Sequence, residues 1–198
     1  MDESRLRLVA GLGNPGEVYA GTRHNVGFMA VDALAAAFGI RLQPDRGTAD
    51  IGFGAIAAIP VILLKPLSYM NRSGTVVGQV ARRHAVATQD IIVIHDDIDI
   101  EFGRLKIKAK GGHAGHKGIK SIIDILGESD FVRLRVGVGR GGDPEGVTDH
   151  VLGTFSPAET PVLDRIIPTA RDALVTILCK GIREAMTRFN VKNHPISS

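Results

Sequence analysis

Three short apolar runs, Leu6–Leu12, Val61–Leu64 and Ile91–Ile94, constrain this chain more than any other feature. Each suits a strand buried on both faces, and a sheet of such strands needs helices above and below it. Two further segments alternate. Leu105, Ile107 and Ala109 interleave with Lys106, Lys108 and Lys110, and Val132, Leu134 and Val136 interleave with Arg133 and Arg135. That is the period of strands with one exposed, basic face. Helical spacing marks Val26–Phe38, Thr75–His84, Lys117–Leu126 and Ala158–Phe189, with Pro168 expected to kink or split the last. The interleaving predicts a three-layer α/β fold, with residues 1–198 forming a single domain and 191–198 a frayed tail.

Composition removes several classes. With 198 residues, 44% hydrophobic and 23% charged, the chain is neither disordered, collagen-like nor a coiled coil. A lone cysteine, Cys179, cannot form an internal disulfide or a cysteine-based zinc site. The opening MDESRLRLVAGLGNPG is charged and glycine-broken, and no run of about 18 apolar residues occurs, so the expectation is a cytoplasmic protein without signal peptide or membrane span. A net charge of +3 is too small to announce a nucleic-acid partner.

Gly11-Leu12-Gly13-Asn14-Pro15-Gly16 satisfies G-x-G-x-x-G after a strand and admits a dinucleotide-binding turn, a plain glycine turn or a catalytic loop. Against the first, Pro15 and Glu17–Arg23 delay the helix, and Asp32, at the ribose-ligand spacing, falls mid-helix. His24 follows, just before a helix and at the carboxyl edge of the sheet, where α/β folds place their sites. An imidazole titrates near neutrality and can take a proton from water; helix capping is the plainer alternative. The strand Ile91–Ile94 ends in His95-Asp96-Asp97, so Asp96 emerges on the same edge and could orient the His24 ring. A phosphate-loop ATPase is excluded, because no G-x-x-x-x-G-K-[ST] occurs. A His/Asp metal site remains open.

Asn71 lies in a strand-to-helix loop, Lys65–Gly74, where its amide could bond a carbonyl or a water. Gly111–Gly118 opens a helix and carries His116 and Lys117. From Arg104 to Lys120 there are six basic residues and no acid, a one-signed patch that suits a phosphate backbone. No serine stands in G-x-S-x-G and Cys179 lies in an apolar helical pattern, so water is the expected nucleophile.

Taken together, GLGNPG, Y-x-x-T-R-H-N-x-G, K-P-x-S-Y-M-N-x-S-G, HDD-x-D-x-x-FG and GGHAGHKG, in this order from about Leu6 to Asn190, resemble the bacterial peptidyl-tRNA hydrolases. The resemblance implies hydrolysis of the ester joining peptide to tRNA by a monomeric α/β fold with a mixed twisted sheet flanked by helices, without metal or other cofactor. It assigns His24 as catalytic base, Asp96 as its orienting carboxylate, and Asn14 and Asn71 as substrate-binding amides. Tyr19, Met70 and His116 would line the cleft, and Lys108 and Arg135 would clamp a tRNA phosphate. Two positions depart from the family pattern. Lys117 stands where an asparagine is usual, and Gly141–Asp149 has no basic residue to offer RNA. A non-catalytic RNA-binding relative, a nicotinamide reductase and a metal-dependent hydrolase are the competing readings.

Overall fold

The computed structural model describes residues 5–141 and 146–191. The hub of its sheet is β1 (Arg7–Gly11), which pairs in parallel with β4 (Ile59–Pro66) on one side and β5 (Ile91–Asp97) on the other. Beyond β5 come parallel β7 (Val132–Gly137) and antiparallel β6 (Leu105–Lys108). Beyond β4 come antiparallel β3 (Ala49–Ile56) and β2 (Gln43–Asp45). The single seven-stranded sheet is thus mixed, ordered β2-β3-β4-β1-β5-β7-β6.

Two apolar layers close the sheet. Helices α1 (Val26–Ala37), α5 (Thr160–Lys180) and α6 (Ile182–Phe189) cover Val9, Leu63, Ile92, Ile94 and Leu134. Helices α2 (Ser73–Arg83) and α3 (Lys117–Leu126) cover Leu8, Ile62, Ile91 and Val93 on the opposite face. Every residue of β5 is buried, as its apolar run requires. Strand alternation then sends Asp96 toward the α1 side and His95 and Asp97 toward the α3 side.

Glycines set how closely α1 approaches β1. A Cβ on Gly27 would stand 2.4 Å from the Leu12 carbonyl oxygen and 2.6 Å from that of Ile94. Only glycine fits, so the turn bearing His24 lies directly over the ends of β1 and β5. The G-x-G-x-x-G string serves this approach: a Cβ on Gly11 would meet the Gly27 carbonyl oxygen at 2.1 Å. Asp32 pairs with Lys65 at 2.8 Å rather than facing a ligand, which closes the dinucleotide reading.

Two expectations need correction. Pro168 does not split the last helical segment; α5 runs through it, and the chain breaks at Gly181, where φ is 88°. The helix tolerates Pro168 because the carbonyl it orphans belongs to exposed Asp164, in reach of water, and the Thr169 hydroxyl donates to the neighbouring Arg165 carbonyl at 2.7 Å. The basic rows are not both exposed. Lys106 and Lys108 are, but Arg133 is buried, its guanidinium donating to the Ser129, Phe131 and Gly111 carbonyls and lying 4.0 Å from the Phe131 ring centre. Strands β2 and β3 and helix α4 (Val147–Leu152) carry no clear periodicity in the sequence. In β3, Gly52 and Gly54 leave room for Ile40, which erases the alternation. The expected frayed tail beyond Val191 and part of the Gly141–Asp149 segment lie outside the described residues.

Candidate active site

The carboxyl ends of β1, β4 and β5 open on one edge, and β1 sits where the chain order switches from one side of the sheet to the other. Such a switch point leaves a crevice between diverging loops. A cavity of about 610 Å³ occupies it, walled by Asn14, His24, Tyr69, Met70, Asn71, Asp96, His116 and Lys117, with α4 closing one side through Val147, Val151 and Leu152.

At its floor is Asp96, 2% exposed, whose Oδ1 receives two imidazoles. His24 Nδ1 lies at 2.7 Å and His116 Nε2 at 3.0 Å. The tautomers follow from the remaining partners. His116 caps α3, its Nδ1 accepting the Gly118 and Ile119 backbone N–H groups at 3.2 Å. Its ring proton therefore sits on Nε2 and is donated to Asp96. His24 donates through Nδ1, which leaves its Nε2 lone pair as the basic atom. Burial on its own would raise the Asp96 carboxyl, but the two imidazoles outweigh it, His116 first and His24 second, and hold the group well below the usual carboxylate range.

His24, Asp96 and His116 bring three potential metal-ligating atoms within 4.8 Å. The cap at α3 works against a metal there. An ion on His116 Nε2 would move the ring proton to Nδ1 and face it against two backbone donors. The geometry suits proton traffic better than coordination.

The asparagines are held by backbone. Asn14 is buried, its amide Oδ1 accepting the Met70 N–H at 2.9 Å, so the amide's remaining capacity is its NH₂ donors. Asn25, unflagged as a site residue, locks the same loop by accepting the Asn14 N–H at 2.9 Å and donating to its carbonyl at 3.0 Å. Met70 is 4% exposed beneath the first turn of α3; a Cβ on Gly118 would meet its sulfur at 2.6 Å. Asn71 and Lys117 are both exposed where they line the cavity. Tyr19 lies in a 3-10 turn, Glu17–Tyr19, and is not among the cavity-lining residues; its backbone carbonyl accepts the Thr22 hydroxyl at 2.8 Å.

Lys108 and Arg135 both border the cavity, one exposed and one committed. Arg135 forms an ion pair with Asp97; β7 sets Arg135 opposite His95, so the pair runs diagonally to the next residue on the same face of β5. The neighbour of His24 is anchored in turn. Arg23 binds the Glu159 carboxylate with both oxygens at 2.7 and 2.8 Å and the Thr154 carbonyl at 2.9 Å. Burial opposes the charge on Glu159, but Arg23 and Ser156 favour it and bring the pKa of the carboxyl down to about 2.

Comparison with known proteins identifies the family. A family model described as Peptidyl-tRNA hydrolase matches residues 8–196. The chain is 43% identical over 185 residues to the peptidyl-tRNA hydrolase of Syntrophotalea carbinolica, covering 93% of this chain and 97% of that one. It is 44% identical over 185 residues to that of Desulforudis audaxviator, covering 93% of each. The crystal structure of peptidyl-tRNA hydrolase from Acinetobacter baumannii superposes with a TM-score of 0.89 at 39% identity, covering 95% and 96% of the two chains. On the family match, these identities and the shared fold, the chain belongs to the peptidyl-tRNA hydrolase family.

Proposed function

We propose that the chain cleaves the ester between peptide and tRNA by His24-assisted attack of water, within one functional domain spanning residues 1–198, acting as a monomer in the cytoplasm where its substrate arises. The observation that carries this reading is the His24–Asp96 hydrogen bond at the switch-point cavity. Neutral His24 takes a proton from water through Nε2, and Asp96 stabilises the imidazolium that forms. The NH₂ groups of Asn14 and Asn71 supply donors to the peptidyl end and to the developing oxyanion. Lys117 adds a cationic donor at the cavity wall. Tyr19 then contributes by shaping the loop from outside the cavity.

The direct test is release of an N-blocked amino acid from its tRNA by the purified chain in excess chelator. Turnover is expected. Silence that added metal restores would favour the metal-dependent alternative, and tRNA binding without turnover under either condition would leave an RNA-binding protein.

For RNA contact, the exposed Lys108 and the Asp97-paired Arg135 should behave differently. Lys108→Ala is expected to reduce the slope of log affinity against log salt by about 1, the signature of one lost phosphate contact. Arg135→Ala should weaken binding more than Lys108→Ala, because it also leaves the Asp97 charge facing the phosphate. Unaltered slopes for both variants would take this edge of the sheet out of the interface.

A further inference from the structure

His95 has no part in the mechanism above, yet it is the third imidazole of the cluster. It is 4% exposed on β5, on the face of the sheet opposite Asp96. Its Nδ1 lies 2.7 Å from the Asp96 carbonyl oxygen, so Nδ1 carries the proton and donates it. Its ring meets His116 edge-on, with centroids 4.6 Å apart. Its Nε2 is buried without a hydrogen-bond partner among the described residues. A buried acceptor left unpaired is costly, and a structural imidazole would ordinarily find a donor for it. Here the cost accompanies a ring wedged between the backbone of the carboxylate and the ring of the carboxylate's second partner.

We propose that His95 is a positioning residue for the Asp96–His116 pair: it pins the Asp96 backbone through Nδ1–H and braces the His116 ring in the orientation that caps α3 and donates from Nε2. The inference rests on the reading of His24 as the base, since its catalytic effect passes through Asp96 to that residue. Around the His95 ring the charged or titratable groups are Asp96 on its own strand, His116 from the α3 cap, and Arg135 from β7 with its partner Asp97. Burial, and next the nearness of His116, push its titration well below the ordinary imidazole range. It therefore stays neutral between the cation of Arg135 and the carboxylate, adding no charge to either.

The consequence concerns how Asp96 Oδ1 is shared. With His116 braced, the oxygen accepts two N–H groups. If His116 swings away, Asp96 is left to His24 alone and favours the His24 imidazolium, which is the inactive form of the base. Loss of His95 should therefore raise the pH at which activity falls on the acid side.

Two variants and one spectrum decide this. His95→Phe keeps an aromatic ring and removes the donor; His95→Asn places an amide nitrogen at the Nδ1 position and keeps it. For His95→Phe we expect kcat to fall by roughly tenfold or more with little change in KM, as for a small misplacement of reacting groups. We also expect the acid limb to move to higher pH. His95→Asn should recover part of kcat and return the limb toward its original position. Ring-nitrogen NMR of the parent chain should show His95 unprotonated at Nε2 and His116 unprotonated at Nδ1, with the His116 pattern lost in His95→Phe. An unchanged His116 pattern and pH profile in a folded His95→Phe, judged by circular dichroism, would overturn the proposal and leave His95 as packing. The ring spectra speak to His95 independently of turnover, so failure of the His24 reading appears separately, as undiminished activity in a His24 variant.

Discussion

Replacing His24 with alanine is expected to lower kcat by about a hundredfold or more while leaving tRNA affinity nearly unchanged. General base catalysis contributes on the order of 10²–10⁴ in rate, so removal of the base costs at least its lower bound. Affinity should survive because His24 is 12% exposed, its polar partner is Asp96, and the cationic residues that would hold RNA lie elsewhere on the edge. The pH dependence supplies an independent check. The base works only when unprotonated, so parent activity should fall as pH is lowered. Asp96 cannot be the source of that limb, because its carboxyl is held well below the usual carboxylate range and stays ionised throughout. His24→Ala should retain a small activity with no such limb. Tight binding lost together with turnover would instead make His24 a contact or scaffold residue.

Much of this site could be read from residues because each lies beside a strand end. The apolar run into His95-Asp96-Asp97 announces a buried strand whose carboxylates must emerge at its edge, and the helical spacing that starts at Val26 sets His24 just before a helix at that edge. What could not be read was pairing across the sheet. Arg133 and Arg135 carry the same alternation, but only the register of β7 against β5 puts Arg135 beside Asp97 and sends Arg133 under the glycine loop. His116 reads as a loop residue because its cap is made with its own following backbone, while its bond to Asp96 spans two elements. The α4 wall went unseen because six residues are too few for helical period to emerge. Local signals named the chemistry, and long-range pairing decided which charges were already spent.

The second large effect is expected at Asp96. Asp96→Asn keeps the shape but removes the charge toward which two imidazole N–H groups converge at 2.7 and 3.0 Å. Without it, the imidazolium formed as His24 takes its proton has no counter-charge in a site of low solvent access. By analogy with the serine protease triad, where the corresponding change costs about 10⁴, a drop in kcat of about a thousandfold or more is expected. The remaining activity should have its acid limb at lower pH than the parent, since His24 has lost the group that favours its protonated form. Stability gives a second readout with a definite sign. The folded carboxyl titrates below its unfolded value of about 3.9, so its ionised form contributes stability that is complete above that pH and lost as pH falls toward the folded value. Thermal melts should therefore show the parent losing stability more steeply than Asp96→Asn as pH is lowered from about 4. Parallel melting curves over that range, with kcat within tenfold of the parent, would mean that the carboxylate neither binds its imidazoles nor steers the base. Loss of the steep acid dependence with kcat intact would make Asp96 a folding residue alone. Only the joint loss fits a buried charge that holds two histidines in register and stabilises one of them at the moment it accepts a proton.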